Sequence, residues 1–353
     1  MHKNRKGFSY YLIRFLTAIL GLVLGAGLFL WNSLDQLKFF DLRGIRENAK
    51  TENVENSENL DKYKELARKS DGDYKHVELN VDPDYPINFV EQKDKNVKNI
   101  LVFGIDSRGE IDARADTIMI LTINQNDKSI KLTSVLRDTE MSLNDGFGIR
   151  TKVNASYAYG GVGMLINTLN YNLDLDIQEF VMFDFWSAKS FIDDLGGVTL
   201  TVSEEELLAT NQVMQGMTDV FDFNYEDYAL QNAGPQKLNG IQALAWGRVR
   251  SIDSDFGRTN RQRILAETMI VEFSKKNVLA QGSFALSIID DLSSNLDKMS
   301  LLSNGTKAIM YANNIKKYNV PQEGMYETNY ENWNMIMYPE LQIPDLHNFI
   351  WGE

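Results

Sequence analysis

Three short apolar runs in close succession limit the fold more than any other feature of this 353-residue chain. They are Asn99 to Gly104 (NILVFG), Thr117 to Ile123 (TIMILTI) and Ile130 to Leu136 (IKLTSVL), each bounded by Asn, Asp, Gly or Lys. Runs of that length between turn residues are buried strands. Asn126-Asp127-Lys128, between the last two, carries a hairpin-turn signal. Helical patterns at 163–172, 185–195, 241–246 and 258–275 then alternate with strand patterns at 179–183 and 198–202. Strands interleaved with helices predict an α/β or mixed three-layer domain over residues 97–276. A remaining segment, 277–353, has helical stretches such as Leu301 to Ala312 and many aromatics, and is expected to pack on that domain.

The N-terminal region reads differently. The tail at 1–9 carries Lys3, Arg5 and Lys6, Arg14 follows shortly after, and no charge occurs from Phe15 to Trp31. With Tyr10 to Ile13 added, residues 10–31 approach the ~20 residues that span a bilayer. Tyr10, Tyr11 and Trp31 sit where interfacial aromatics belong, and basic residues ahead of the span predict a cytoplasmic N-terminus with the body outside. A cleaved signal peptide ending at Gly25-Ala26-Gly27 is the alternative; the apolar run continues past it. Residues 32–96 are polar and are expected to form a stalk or linker.

Composition excludes several chemistries. With no cysteine there is no thiol nucleophile, thiolate metal site or redox pair. The histidines are His2, His76 and His347, none near the motifs below, so a Ser-His-Asp triad or histidine zinc site is not expected. No G-x-x-x-x-G-K-[ST] loop is present. A net charge of −13 argues against nucleic-acid binding.

Arginine is distributed unevenly. Beyond residue 70 it occurs only as Arg108, Arg114, Arg137 and Arg150, then as Arg248, Arg250, Arg258, Arg261 and Arg263, while lysine is scattered. Its planar fork takes carboxylate or phosphate oxygens in pairs. Internal ion pairing with Asp106, Asp116, Asp138, Asp253 and Asp255 explains any single member, but not the confinement of all nine to two windows. On a helix, Arg258, Arg261 and Gln262 share a face.

These residues belong to longer motifs. GIDSR at 104–108, RADT at 114–117, LRD at 136–138, KVNASYAYGG at 152–161, DLGGV at 194–198, LNGIQAL at 238–244, RVR at 248–250 and DFGRTNRQ at 255–262 resemble, in order, the motifs of the LytR-CpsA-Psr family. Ala115, Leu136 and Gly247 depart from the usual residues without removing a charge, and 204–232 is expected to form a variable loop. The resemblance implies a three-layer α/β/α domain with a central mixed sheet and a greasy cavity for a prenyl chain. It also implies transfer of an anionic glycopolymer, of teichoic acid or capsular type, from a polyprenyl diphosphate carrier to peptidoglycan at the cell membrane. On that basis Arg137, Arg248, Arg250, Arg258 and Arg261 would hold the diphosphate, with Lys152 and Gln262 assisting. Mg2+ or Mn2+ would bind Asp106 and Asp116, since magnesium favours one or two carboxylates plus substrate phosphates. One of these, or Asp138, would take the acceptor's proton, and Arg108 and Arg114 would orient the aspartates or line the entrance to the substrate site. The helices at 164–173 and 185–195 would enclose the lipid tail. A diphosphate hydrolase and a non-catalytic carrier of the lipid-linked intermediate are the alternatives.

Overall fold

The predicted apolar runs pair into the middle of a mixed sheet in the computed structural model, which describes residues 38–39, 85–105, 114–143, 149–277, 281 and 293–352. β2 (Val97–Ile105), β3 (Ala115–Asn124) and β4 (Ser129–Val135) form an antiparallel meander. Its second turn is closed by the Asn124 side chain, whose oxygen accepts from the backbone N–H groups of Asn126 and Asp127. β5 (Glu140–Ser142) and β6 (Arg150–Lys152) pair with each other outside this sheet, and β7 (Glu179–Phe183) runs parallel to β2. The two-residue strands β10 (Ser293–Ser294) and β1 (Lys38–Phe39) extend that edge, and β11 (Ile315–Val320) lies parallel to β4. The order of the seven strands is β1-β10-β7-β2-β3-β4-β11.

Strand alternation sorts side chains between two helical layers. Ile118 and Ile120 of β3 face α1 (Ser156–Leu173) and the C-terminal α7 (Pro339–Trp351), with Leu165, Ile166, Leu169, Leu346 and Ile350. Met119 and Leu121 face the other way, toward Ala266 and Ile270 of α5 (Asp255–Ser274) and Ala308 of α6 (Lys298–Tyr311). The architecture is therefore α/β with helices on both faces of the sheet.

Two expectations need refinement. The 277–353 segment supplies β11, a strand of the central sheet, and so completes the domain instead of resting on it. Its outward Lys316 and Lys317, paired with Asp127 and Glu267, suit an edge strand. The last residues of the predicted linker are also packed: Ile87 is buried, and Asn167 accepts from the N–H of Asn88 while donating to the carbonyl of Pro86. The predicted tail at 1–9, the membrane helix at 10–31, most of the stalk, Asp106 and Arg108 lie outside the described residues. Among the described residues no helix is long and apolar enough to cross a membrane.

A smaller apolar unit leans on one side of the sheet. It contains α2 (Phe185–Asp194), β8 (Val198–Val202), α3 (Glu204–Gln215), β9 (Gly234–Leu238) and α4 (Gly240–Arg248), around Val198, Leu200, Met214, Ile241 and Trp246. The expected variable loop at 204–232 is thus largely helical, because Ser203 and Glu206 form a capping box that starts α3. Gly240 lets α4 approach α2: a Cβ there would lie 2.5 Å from the Lys189 carbonyl.

Candidate functional site

The two arginine windows meet where β3 begins and β4 ends. Because Ile118 pairs with Val135, continuing the antiparallel ladder places Asp116 opposite Arg137. Arg137 Nη1 donates to Asp116 Oδ1 at 3.0 Å, and its Nε lies 3.5 Å from Asp138 Oδ2. Lys152 Nζ holds the other Asp138 oxygen at 2.9 Å. From the distant window, Asp255 in the first turn of α5 brings Oδ1 to 3.6 Å from Arg137 Nε and 2.7 Å from Arg258 Nη2. Asp255 is therefore the bridge between the windows.

Arg258 is only 1% exposed. Burial holds its pKa down to about 10; Asp255 opposes the shift, and Arg137 and Arg250 deepen it. It stays charged at neutral pH, crowded by other cations. For Arg137 burial also works against the charge, but the carboxylates of Asp138, Asp255 and Asp116 outweigh it and raise the pKa. Nε of Arg137, Nε of Arg258 and Oδ2 of Asp255 are buried with no hydrogen-bond partner among the described residues. Buried polar atoms of this kind are normally satisfied, so their concentration marks a ligand site.

Beside this cluster lies a cavity of about 530 Å³. Asp116, Arg248, Arg250, Arg258 and Gln262 line its polar part; Val102, Met119, Ile192, Val213, Met217, Leu244, Leu265 and Met269 line the rest. The Arg248 guanidinium sits 4.2 Å from the centre of the Phe185 ring, where cation–π attraction fixes it at the polar–apolar boundary. Phe185 is placed by Asp184, which caps α2 in a capping box with Ser187. The cavity is bounded by the sheet on one side and by α2, α3, α4 and α5 on the other.

The family model for LytR_cpsA_psr matches residues 51–345. The chain belongs to the LytR_cpsA_psr family. A polyisoprenyl-teichoic acid–peptidoglycan teichoic acid transferase TagU of Bacillus licheniformis is 35% identical over 174 residues, 49% of this chain and 51% of that protein. A TagU of Halalkalibacterium halodurans is 31% identical over 253 residues, 69% of this chain and 75% of that protein. This chain thus spans about half the length of the first of these relatives. Among solved structures, "TagT bound to LIIa-WTA" has the same fold, with a TM-score of 0.57 and 22% identity over 74% of this chain and 94% of that one.

Against the family pattern, the structure gathers Asp116, Arg137, Asp138, Lys152, Arg248, Arg250, Arg258 and Gln262 at one end of the cavity. Arg261 is elsewhere. Its guanidinium donates to both oxygens of Asp253 at 2.8 and 2.7 Å and to the Val249 carbonyl at 2.7 Å, so it braces the 249–254 loop and does not line the cavity. Arg263 is also turned away, donating to the Tyr318 carbonyl. Arg114 stands immediately before β3. Of the two helices expected to enclose a lipid tail, Phe185, Ala188 and Ile192 of α2 do line the cavity. Met164 to Leu173 does not: Leu165, Ile166, Leu169 and Leu173 are ordinary core on the opposite face of the sheet. Asp255 and the α3 contribution from Gln212 and Val213 were not among the predicted site residues. Asp255 was readable only as a partner of Arg258 three residues on, which every helix offers.

Proposed function

We propose that this chain transfers a phosphorylated glycopolymer of the teichoic or capsular type from a polyprenyl diphosphate carrier to a hydroxyl of peptidoglycan. One observation carries this reading: arginines, the buried Arg258 among them, and a mostly apolar lining belong to the same cavity. An ordinary phosphate site has no use for the apolar part, and an ordinary lipid pocket has none for buried arginines. The teichoic acid transferases among the relatives support the same polymer and acceptor classes.

In the proposed reaction the prenyl chain occupies the space among Val102, Met119, Ile192, Met217 and Met269, with the diphosphate against Arg248, Arg250 and Arg258. The acceptor oxygen forms a bond to the polymer-bearing phosphorus. The bond from that phosphorus to the bridging oxygen breaks, and polyprenyl phosphate leaves. Arginines fixed before the reaction stabilise charge without reorganising. The proton of the acceptor hydroxyl needs a carboxylate. Asp138 has both oxygens engaged, by Lys152 and Arg137. Asp116 lines the cavity with only Oδ1 in a hydrogen bond, so its Oδ2 is the carboxylate oxygen left for the acceptor's proton or for a metal ion.

Among the described residues no group of three or more His, Cys, Asp or Glu side chains forms a metal cage. Asp116 nevertheless fits magnesium, which takes one or two carboxylates and completes its shell with phosphate oxygens and water. We propose that Asp116 and Asp106 hold Mg2+ or Mn2+, which when bound neutralises diphosphate charge. The uncharged stretch at 15–31, with basic residues ahead of it, supports a membrane anchor with the domain outside the cytoplasm.

The test is transfer by the full chain in detergent, from a lipid diphosphate donor to peptidoglycan. Arg137→Ala or Arg258→Ala should lower kcat/KM by about 10²–10³-fold, as for loss of a preorganised charge-stabilising donor. A folded variant with the wild-type rate would overturn the assignment.

A further inference from the structure

β12 (Tyr326–Asn329) and β13 (Asn334–Met337) form a hairpin outside the central sheet. It is tied to the Arg137–Asp138 end of the site. The Met335 N–H donates to the Asp138 carbonyl at 2.9 Å, and Asn334 Nδ2 donates to Glu140 Oε2 at 2.8 Å. The Tyr326 ring lies 5.6 Å from that of Phe256, the neighbour of Asp255.

The tip of this hairpin has a composition that folding does not explain. Tyr330 is 75% exposed and Trp333 65% exposed, their rings edge-to-face with centroids 5.6 Å apart. Trp333 has φ of +59°, a region that L side chains enter at about 1–2 kcal/mol and glycine enters freely. The chain thus holds a large apolar side chain in water on a backbone that disfavours it. Such strain collects where ligands are gripped, and exposed aromatic pairs mark binding surfaces.

Charge selects the ligand. Between Pro321 and Pro339 there is no lysine or arginine, whereas Glu323, Glu327 and Glu331 are present. An anionic bilayer attracts basic segments and repels this one, and nucleic acid does the same. A neutral saccharide is suited: its C–H faces stack on aromatic rings, and its hydroxyl and acetamido groups need polar partners. Glu331 offers a carboxylate. The Asn329 and Asn332 side-chain oxygens accept from the N–H groups of Glu331 and Asn334, at 2.9 and 3.0 Å, which leaves their NH2 groups as the donors these side chains offer.

Position selects the role. Trp333 directly precedes β13 and is two residues from Met335, whose N–H holds the Asp138 carbonyl, a separation of at most about 7 Å along the chain. A short oligosaccharide on the tip therefore reaches the Arg137–Asp138 end of the site. Resting on the transfer reading above, we propose that Tyr330 and Trp333 form the docking platform for the acceptor's amino-sugar chain, which delivers its hydroxyl to that end of the site.

The experiment uses the full chain in detergent with Trp333→Gly, which relaxes the backbone, and Trp333→Phe, which keeps a ring. A soluble β-linked N-acetylglucosamine oligomer is the binding probe, followed by calorimetry. Trp333→Gly should weaken that binding and raise the acceptor KM about tenfold, with the donor KM, kcat and Tm not impaired; Trp333→Phe should restore most of both. Unchanged oligomer affinity and acceptor KM in a variant that still transfers would overturn the platform and leave the transferase intact. If the wild-type chain transfers nothing, the transferase reading falls and oligomer affinity alone decides the platform. If Trp333→Gly lowers binding to phosphatidylglycerol vesicles while oligomer affinity holds, the tip is a membrane contact and the platform is overturned.

Discussion

Gly257→Ala sets two opposing effects against each other, and the structure decides the sign. Alanine in a helix is favoured over glycine by at most about 1 kcal/mol. Yet a Cβ at 257 would lie 1.9 Å from Asp253 Oδ2 and 2.1 Å from its Cγ, so the carboxylate must move. That carboxylate accepts both ends of the Arg261 fork. Charged hydrogen bonds contribute about 1.5–3 kcal/mol each. The Asp253 side chain is 36% exposed, so water replaces part of the loss and the lower end applies, about 3 kcal/mol for the pair. The net is a destabilisation of about 2 kcal/mol, or roughly 4–8 °C in Tm for a domain of this size. Thermal unfolding of the full chain followed by circular dichroism measures it. In an Asp253→Ala background the obstruction is gone, and Gly257→Ala should become stabilising by up to about 1 kcal/mol. A rise in Tm on Gly257→Ala in the otherwise native chain would refute the reasoning.

Asp255→Ala leaves the buried Arg258 without its 2.7 Å partner and should cost about 3–5 kcal/mol; inorganic pyrophosphate should raise the variant's Tm more than the wild type's, and equal shifts would count against Asp255 as the bridge. For Asp127 burial is the largest single effect and raises the pKa, but the hydrogen bonds from Ser129, Lys316 and Lys131 together outweigh it and hold the group at about 2 instead of 3.8. A lowered folded-state pKa stabilises above the unfolded value and is lost as pH falls toward 2, so Asp127→Asn should cost about 1 kcal/mol at pH 7, after allowance for solvent screening, and nothing near pH 2 in denaturant titrations. Gly247 lines the cavity, and a Cβ there meets Leu265 and Gln262 at an unstrained 3.7 and 3.9 Å. Gly247→Ala should therefore gain up to about 1 kcal/mol in chemical unfolding, whereas Gly247→Phe should fill the cavity and weaken lipid-donor binding about tenfold without changing pyrophosphate affinity.

Much of this was legible where short-range rules decide. The strands at 179–183 and 198–202 have the bounds expected from their apolar runs and flanking turn residues. The hairpin between β3 and β4 followed from Asn126-Asp127-Lys128, whereas the register that sets Asp116 opposite Arg137 came only with the structure. Helical spacing grouped Arg258 with Arg261 but could not separate them: one neighbour, Asp253, captures Arg261 and leaves Arg258 to the cavity. The apolar helices at 164–173 and 185–195 looked alike because core and lipid-lining positions require the same residue types. Only the sheet face each covers tells them apart. β11 was hidden by its lysines, which suit an edge strand as well as a loop. The start of α3 was visible in Ser203 and Glu206 but was obscured by the polar composition around it.

The energetics of Arg258 connect these parts. A guanidinium almost wholly removed from water is unfavourable, and one carboxylate at 2.7 Å does not restore the ordinary pKa. Replacing such a pair by apolar residues commonly stabilises a fold. The adjoining apolar wall would have accepted that replacement, since Leu265, Ala266 and Met269 follow on the same helix. The charge is retained beside oil, with Arg258 Nε, Arg137 Nε and Asp255 Oδ2 unsatisfied among the described residues. A soluble anion would gain from the charges alone and a hydrocarbon from the cavity alone. The proposed donor, an amphiphile with a multiply charged phosphate head and an apolar tail, gains from both, and its head would return to Arg258 the anionic partners that folding withholds.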